Sequence, residues 1–481
     1  MSEQEGLTVK KKDNFSEWYT QVVLKSDLAD YGPVQGTMAF KPTAYAVWES
    51  IQEIFNTMIK KTGHKNVYFP LLIPESFLKK EAEHFEGFVP EVFWVTASGN
   101  NKLGEQLAVR PTSETIIYYF YSKWIRSWRD LPLLLNQWCN VLRGEIKSTK
   151  PFIRTSEFLW QEGHTAHATM EDADKEVLTI LDFYQDLIEN YLAIPVLKGK
   201  KSEAEKFAGA YYTTTLEAMM PDGKALQMAT SHNLGQGFAK SFGMEFSDEK
   251  GEKKHVWTTS WGISTRLIGG LIMTHGDDKG IILPPKIAPI QTVIVPIYYK
   301  DDEKGQVMKK ANAIKDKLEK INVSVHIDDR NTYTPGWKFN EWELRGIPLR
   351  IEVGPKDVKN KQVVIVRRDS GEKANVKDGD VVGKVEGLLD SIQKNLYEKA
   401  KKELQNKTSG VKEYSEFKKI IENKGGFVKA SWCGDQDCES KIKEETGATI
   451  RTIPFEKENK LSSCIYCDKK AKNLANFARS Y

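Results

Sequence analysis

The stretch Arg143 to His164 reads RGEIKSTKPFIRTSEFLWQEGH and predicts two antiparallel strands around a charged loop, with one Arg on each strand. Successive side chains of a strand point to opposite faces, so Arg154, Ser156, Phe158, Trp160, Glu162 and His164 share one face of the second strand. That face is too polar for a core. Two guanidiniums beside a Trp, a carboxylate and an imidazole suit a site that holds a polyanion next to a small zwitterion, because Arg grips phosphate and carboxylate through a planar fork.

The rest of the chain is that of a large enzyme. At 481 residues it is long enough for two or three domains with sizeable cores, and its charged fraction of 28% is ordinary. A net charge of +4 permits a nucleic-acid partner without requiring one. The N-terminal MSEQEGLTVKKKDN has no apolar centre for a signal peptide, and the most apolar region, Ile281 to Tyr299, is cut by Pro284, Pro285, Pro289 and Pro296, so no membrane partner is expected. Five Cys in such a chain make no disulfide scaffold and place it by default in a reducing cytoplasm.

Three parts are expected, all mixing helix and strand. In the first, residues 1–285, Ala44, Val47, Trp48, Ile51, Ile54, Phe55 and Met58 follow helical spacing up to Gly63, ahead of a strand-like NVYFPLLIP broken at Pro70. A second helix starts after Thr169 with Asp172 placed to cap it, burying Val177, Ile180, Leu181, Tyr184, Leu187 and Tyr191. Pro284, Pro285 and Pro289 mark a boundary. The second part, residues 286–405, alternates strand (Val293 to Ile297), helix (Val307 to Ile321), strand (Val323 to Ile327), helix (Gly336 to Arg345) and strands at Leu349 to Val353 and Val363 to Val366, followed by a charged helix. The third, residues 406–481, is Lys-rich and holds four of the five Cys.

Three further segments join the opening stretch: RPTSET at Arg110 to Thr115, LQMATSHNLGQ at Leu226 to Gln236, and SWGISTRLIGGLIMTH at Ser260 to His275. Taken in order, these motifs resemble the catalytic domain of class II aminoacyl-tRNA synthetases. The helix leading to Pro70 is similar to motif 1, Arg143 to Glu162 to motif 2 and Ser260 to His275 to motif 3. Within the class, RPTSET, WQEGHT and SHNLGQ resemble the prolyl-tRNA synthetases of the archaeal or eukaryotic-like type, and the likeness runs through WELRGIPLRIEVGP to the terminal Cys module. The fold implied is an antiparallel-sheet catalytic domain, an α/β anticodon-binding domain and a small α/β zinc-binding domain. The implied partners are ATP, L-proline and tRNA(Pro), and motif 1 implies a homodimer.

The residues divide accordingly. Arg143 suits the α-phosphate and the amino-acid carboxylate, with Arg154 and Arg266 on the outer phosphates. The resemblance implies that Glu145, Thr155, Gln227, Thr230 and Ser264 seat ATP, and Mg²⁺ is expected with the triphosphate. For a secondary ammonium and a compact ring, it points to Thr112, Glu114, Glu162, Trp160, Phe207, His164 and His232. Only about 60 residues separate His164 from Gln227, which leaves no room for an inserted editing domain. Slow activation of alanine without its removal is therefore expected.

Cys433-x4-Cys438 and Cys464-x2-Cys467 match a tetrahedral structural zinc site; a redox CxxC and unligated thiols are the alternatives. Cys139 reads as a buried core residue. In the second part, Trp337, Lys338, Glu341, Arg350 and Glu352 are candidates for reading anticodon bases by stacking and hydrogen bonding. The terminal FARSY resembles the family's tail, in which Tyr481 folds back towards the catalytic site. The implied activity is formation of prolyl-adenylate and transfer of proline to the 3′ end of tRNA(Pro). A related synthetase for threonine or histidine, or a non-catalytic RNA-binding relative, stays open; the presence of Arg143, Arg154 and Arg266 speaks against the last.

Overall fold

A computed structural model describes residues 6–82, 91–146, 148–456 and 461–481. The helix expected from the first apolar stripe runs Pro42–Lys61, with Pro at its first turn, where no backbone N–H is needed. It buries Ala44, Val47, Trp48, Ile51, Phe55 and Ile59, and Gly63 at φ +91° ends it. The strand expected from NVYFPLLIP forms only as Lys65–Asn66 and Leu72–Pro74. Pro70 lacks the N–H a ladder needs, and between the pieces the backbone N–H of Phe69 turns to the Gln137 side chain at 3.0 Å.

Lys65–Asn66 (β1) opens a seven-stranded sheet completed by Leu133–Leu142 (β2), Glu157–His167 (β3), Leu197–Lys200 (β4), Tyr212–Met219 (β5), Ala225–Gly235 (β6) and Trp257–Ser264 (β7). The order is β1-β2-β3-β7-β6-β5-β4, antiparallel at every junction except β1 with β2. The helices Pro42–Lys61, Met170–Asp186 and Arg266–His275 cover one face, where Phe55, Tyr184 and Trp261 meet ring to ring. Thr169 caps the second of these helices by accepting from the Asp172 N–H at 3.1 Å.

One expectation about the opening stretch is corrected. β2 ends at Leu142 and β3 starts at Glu157, so Arg143 and Arg154 both lie in the connection rather than on the strands. The backbone N–H groups of Ser156 and Glu157 are taken by the Gly36 carbonyl, at 2.9 and 3.2 Å. Phe152, at φ +59°, turns inward against Phe40 with ring centres 5.0 Å apart. Burying that ring bends the chain out of the sheet and leaves Arg154 exposed.

The second sheet takes the order Val325–Ile327, Thr292–Pro296, Leu349–Val353, Gln362–Arg367, Lys373–Lys377. Its first three strands are parallel and the last two antiparallel, with Asp301–Glu319, Pro335–Leu344 and Val381–Asn406 as its long helices. Lys373–Lys377 was not expected: KANVK is a polar edge strand that buries only Val376. The third sheet is ordered Thr408–Gly410, Phe427–Trp432, Asn473–Ala478, Thr449–Thr452, with helices Tyr414–Asn423 and Gln436–Thr446. No described helix is long and apolar enough to cross a membrane.

The central sheet depends on one absent side chain. Gly163 on β3 faces Trp261 on β7, and a Cβ there would lie 2.1 Å from the indole ring. Gly163→Ala is expected to lower stability by about 1–3 kcal/mol, read as a lower midpoint in thermal unfolding; an unchanged midpoint would mean that Trp261 is free to move.

Candidate active site

Antiparallel register assembles the site. Residues directly opposite each other project to the same face, so the polar stripe of β3 is continued on both neighbours. His164 pairs with Leu135 on β2 and Ser260 on β7, Glu162 with Gln137 and Gly262, and Trp160 with Cys139 and Ser264. The rows extend through β6 and β5: Ser260 to His232 and Thr213, Gly262 to Thr230 and Thr215. Bulky groups on β3 thus stand beside Ser260, Gly262 and Ser264 on β7. The small residues leave a cleft of about 390 Å³.

At its base Glu162 is only 2% exposed. Its Oε1 accepts from Gln137 Nε2 at 2.6 Å and from the Ser113 hydroxyl, and its Oε2 lies 3.0 Å from His164 Nε2. Burial works against the Glu162 charge, but His164, Ser113 and Gln137 more than offset it and hold the carboxyl below its ordinary range. Burial likewise opposes a charged His164, yet the Glu162 hydrogen bond and the nearby Glu114 raise its pKa above normal. His232 has no such partner. Burial first, then the charges of His164 and Lys201, push it down to about 3, so it stands neutral with Nδ1 2.9 Å from Thr213 Oγ1. The Phe207 ring lies 5.0 Å from the His232 ring and Trp160 forms part of the facing wall. In the cleft wall the buried Thr112 hydroxyl donates to Glu114.

Two half-buried guanidiniums form the other end. Arg143 lies over Phe158 and Trp160, 5.2 and 5.8 Å from the ring centres, and donates to the Pro111 carbonyl at 3.2 Å. Arg266 donates to the Ile153 carbonyl at 3.1 Å, and burial together with the charge of Arg143 pulls its pKa down to about 10. Cations crowded in this way lose that repulsion when a polyanion arrives. Glu145, Gln227, Thr230 and Ser264 line the same end. Thr155 is buried outside the cleft lining, and the exposed Arg154 is close enough to contribute to the field at Arg266.

Three contributors were not anticipated. Ser113 and Gln137 bind Glu162, and Cys139 is no plain core residue: its sulfur accepts from Trp160 Nε1 at 3.2 Å and sits 3.5 Å from Glu162 Oε1. Gln137 and Cys139 follow from the β2–β3 register, which the sequence does not print. The tail folds back on the turn before β6, outside the cleft lining: Tyr481 N–H donates to the Ala225 carbonyl at 3.3 Å and its hydroxyl to Asp222 at 2.5 Å.

Away from the cleft, the sulfurs of Cys433, Cys438, Cys464 and Cys467 all lie within 4.8 Å of one another. Cys433 to Cys438 is 3.7 Å and Cys467 to Cys433 is 3.8 Å. Tetrahedral thiolates about 2.3 Å from one ion stand roughly 3.8 Å apart, so the set fits a metal. In the second unit the candidates separate. Trp337 stacks on Tyr333 at 3.8 Å, under Arg330. Lys338 is buried and donates to the Asp328 carbonyl, Glu341 pairs with Arg330 and Arg345, and Arg350 is buried between Glu343 and Glu352.

A long, mainly antiparallel sheet with two guanidiniums at one end of the cleft on its open face, joined to a mixed α/β unit, has the form of a class II aminoacyl-tRNA synthetase. Residues 93–275 match the tRNA synthetase class II core domain (G, H, P, S and T), residues 291–388 the anticodon binding domain, and residues 414–481 the C-terminal domain of prolyl-tRNA synthetase. The chain is 57% identical to the proline–tRNA ligase of Alkaliphilus oremlandii, over 99% of this chain and 98% of that one. It is 55% identical to proline–tRNA ligase 2 of Clostridioides difficile (98% and 97%) and 52% identical to the proline–tRNA ligase of Cenarchaeum symbiosum (99% and 99%). The chain belongs to the prolyl-tRNA synthetase family.

The buried pair sets a pH dependence. A raised folded pKa means that His164's stabilising share is fully present below its unfolded value of about 6.5 and is lost as pH rises through the folded value. Imidazole NMR is expected to show His164 titrating above about 6.5 in the native protein and lower in Glu162→Gln. Equal titration in both proteins would remove the pairing.

Proposed function

We propose that the chain activates L-proline with ATP, giving prolyl-adenylate and pyrophosphate, and then transfers the prolyl group to the 3′ end of tRNA(Pro). The observation that carries this is the buried, ionised Glu162, within a wall that includes Trp160, Phe207 and His232 and in the same cleft as Arg143 and Arg266. Its carboxylate suits the secondary ammonium of proline, with Thr112 and Glu114 closing over it. The rings of Trp160, Phe207 and neutral His232, with His164 behind, enclose the pyrrolidine.

Arg143 bridges the reactants. It binds the proline carboxylate and the α-phosphate, so that a carboxylate oxygen attacks phosphorus while the bond to pyrophosphate breaks in line. Arg266 and the exposed side chain of Arg154 meet the β- and γ-phosphates, and Glu145, Gln227, Thr230 and Ser264 hold the nucleotide. Mg²⁺ enters with ATP as part of the substrate and neutralises phosphate charge. The fixed cations stabilise the charge that builds on the departing pyrophosphate.

The other units complete the reading. Residues 1–285 form the catalytic domain, 286–405 the anticodon-binding domain and 406–481 the zinc-binding domain. Trp337 with Tyr333 offers a stacking platform, while Lys338, Glu341, Arg350 and Glu352 brace the surface beside it. The resemblance to motif 1 supports a homodimer, with Tyr45 exposed on the first long helix and Tyr68 exposed just beyond it. The cysteines hold a structural Zn²⁺, four thiolates leaving no open position, and the reducing cytoplasm is the compartment.

Amino-acid-dependent exchange of pyrophosphate into ATP tests the assignment. Proline is expected to drive exchange, threonine and histidine are not, and Arg266→Ala should lower kcat by about 10²–10³-fold; exchange with threonine or histidine alone would overturn it. Metal analysis of the dialysed protein should find about one zinc per chain, and a folded, metal-free chain would remove that site. Deleting Tyr481 frees the Ala225 carbonyl and Asp222, so slower adenylate formation is expected; unchanged kinetics would make the docked tail incidental.

A further inference from the structure

The segment following β4 contributes Glu205, Lys206 and Phe207 to the cleft, yet it is fastened from behind by the third unit. Lys200 and Ile453 exchange backbone hydrogen bonds of 2.8 Å in both directions. The strands approach so closely that a Cβ on Gly199 would stand 2.5 Å from the Ile453 carbonyl oxygen. Ser202 Oγ then donates to Glu439 Oε1 at 2.7 Å, on the helix Gln436–Thr446.

The strongest tie is ionic. Lys201 Nζ donates to Glu217 Oε1 at 2.8 Å, and Arg451 embraces the same carboxylate with Nε to Oε2 at 3.0 Å and a terminal nitrogen to Oε1 at 3.2 Å. Another nitrogen of Arg451 lies 3.6 Å from Glu205 Oε2. Glu217 is wholly buried, and Lys201 and Arg451 are 8% and 7% exposed. A buried carboxylate shared by two cations tolerates little movement, because losing one partner leaves charge without solvent. The position of Phe207 is fixed within the same frame: its N–H donates to Thr213 Oγ1 at 3.0 Å, the hydroxyl that also meets His232.

We propose that Arg451 is a positioning residue for the amino-acid pocket, holding Glu217, Lys201 and Glu205 so that the third unit sets the affinity of the catalytic cleft for its amino acid. Arg451 is not among the residues lining the cleft, so it acts through the Lys200–Phe207 segment rather than on substrate. The proposal rests on the reading of that cleft as the proline site. It also gives the third unit a part in the activation step, distinct from carrying a metal.

The test is proline-dependent pyrophosphate exchange with the full-length protein, its Arg451→Ala and Arg451→Lys variants, and Ser202→Ala. In Arg451→Ala the KM for proline should rise about tenfold, the scale of a lost charged hydrogen bond. The KM for ATP and kcat should change less than about threefold. Arg451→Lys should fall between, since it keeps the charge but not the fork. A merely structural role would instead lower kcat through loss of active protein at constant KM, and that result, or an unchanged KM in folded Arg451→Ala, overturns the proposal. Should Arg451→Ala not fold, Arg451→Lys decides: it keeps the charge and loses the fork to Glu217. A KM for proline raised about threefold then supports the proposal and an unchanged KM overturns it, with Ser202→Ala, which spares the cluster, as the control at near wild-type KM. Failure of the wild type to exchange with proline would overturn the functional reading itself, whereas normal exchange with unaltered variants would overturn this inference alone.

Discussion

A carboxylate buried in the centre of a β-sheet is held there against a large desolvation cost, and the site is built around meeting that cost for Glu162. Serine, glutamine and histidine from three segments converge on its two oxygens. Each of the three groups is itself fixed by the frame: Ser113 by the start of the helix Glu114–Trp124, Gln137 by the β2–β3 register, and His164 by the same strand two residues on. Because every hydrogen bond is made by the protein before substrate arrives, the charge is preorganised. Its ring partner His164 is a cation only below its raised pKa, and in the proposed reading a substrate ammonium adds a permanent one.

The same register separates the chemistry along the strand. One residue pair further from Glu162, Trp160 and Ser264 open towards the guanidiniums; one pair the other way, His164 and Ser260 lead to the neutral ring of His232. In the proposed reading, a zwitterion with a compact ring would meet an anion, cations and an uncharged aromatic wall within two residue steps. Gly163 is the complement on the reverse face, since its missing side chain lets Trp261 seal the core against the helices.

Much of this was legible in the sequence. The helix stripes at Ala44 to Phe55 and Val177 to Tyr184 and the strand Leu349–Val353 followed from periodicity alone, and Phe158, Trp160, Glu162 and His164 were placed on one face by alternation. Alternation failed at Arg154, where a buried Phe152 and the Gly36 carbonyl redirect the chain, because neither contact is local in sequence. Gln137 and Cys139 were missed for the same reason: which residues oppose β3 is decided by register. In the second unit, Lys338, Arg350 and Glu352 were candidates for reading bases, yet Lys338 pairs with Asp328, and Arg350 with Glu343 and Glu352. Charge in a sequence says nothing of its partner.

If the buried carboxylate is what recognises the amino acid, then proline binding measured by titration calorimetry must depend on the Glu162 charge. Wild-type protein is predicted to bind proline, and Glu162→Gln, which keeps the shape and loses the charge, to bind it about a hundredfold more weakly. Equal affinity in the two proteins would contradict the account.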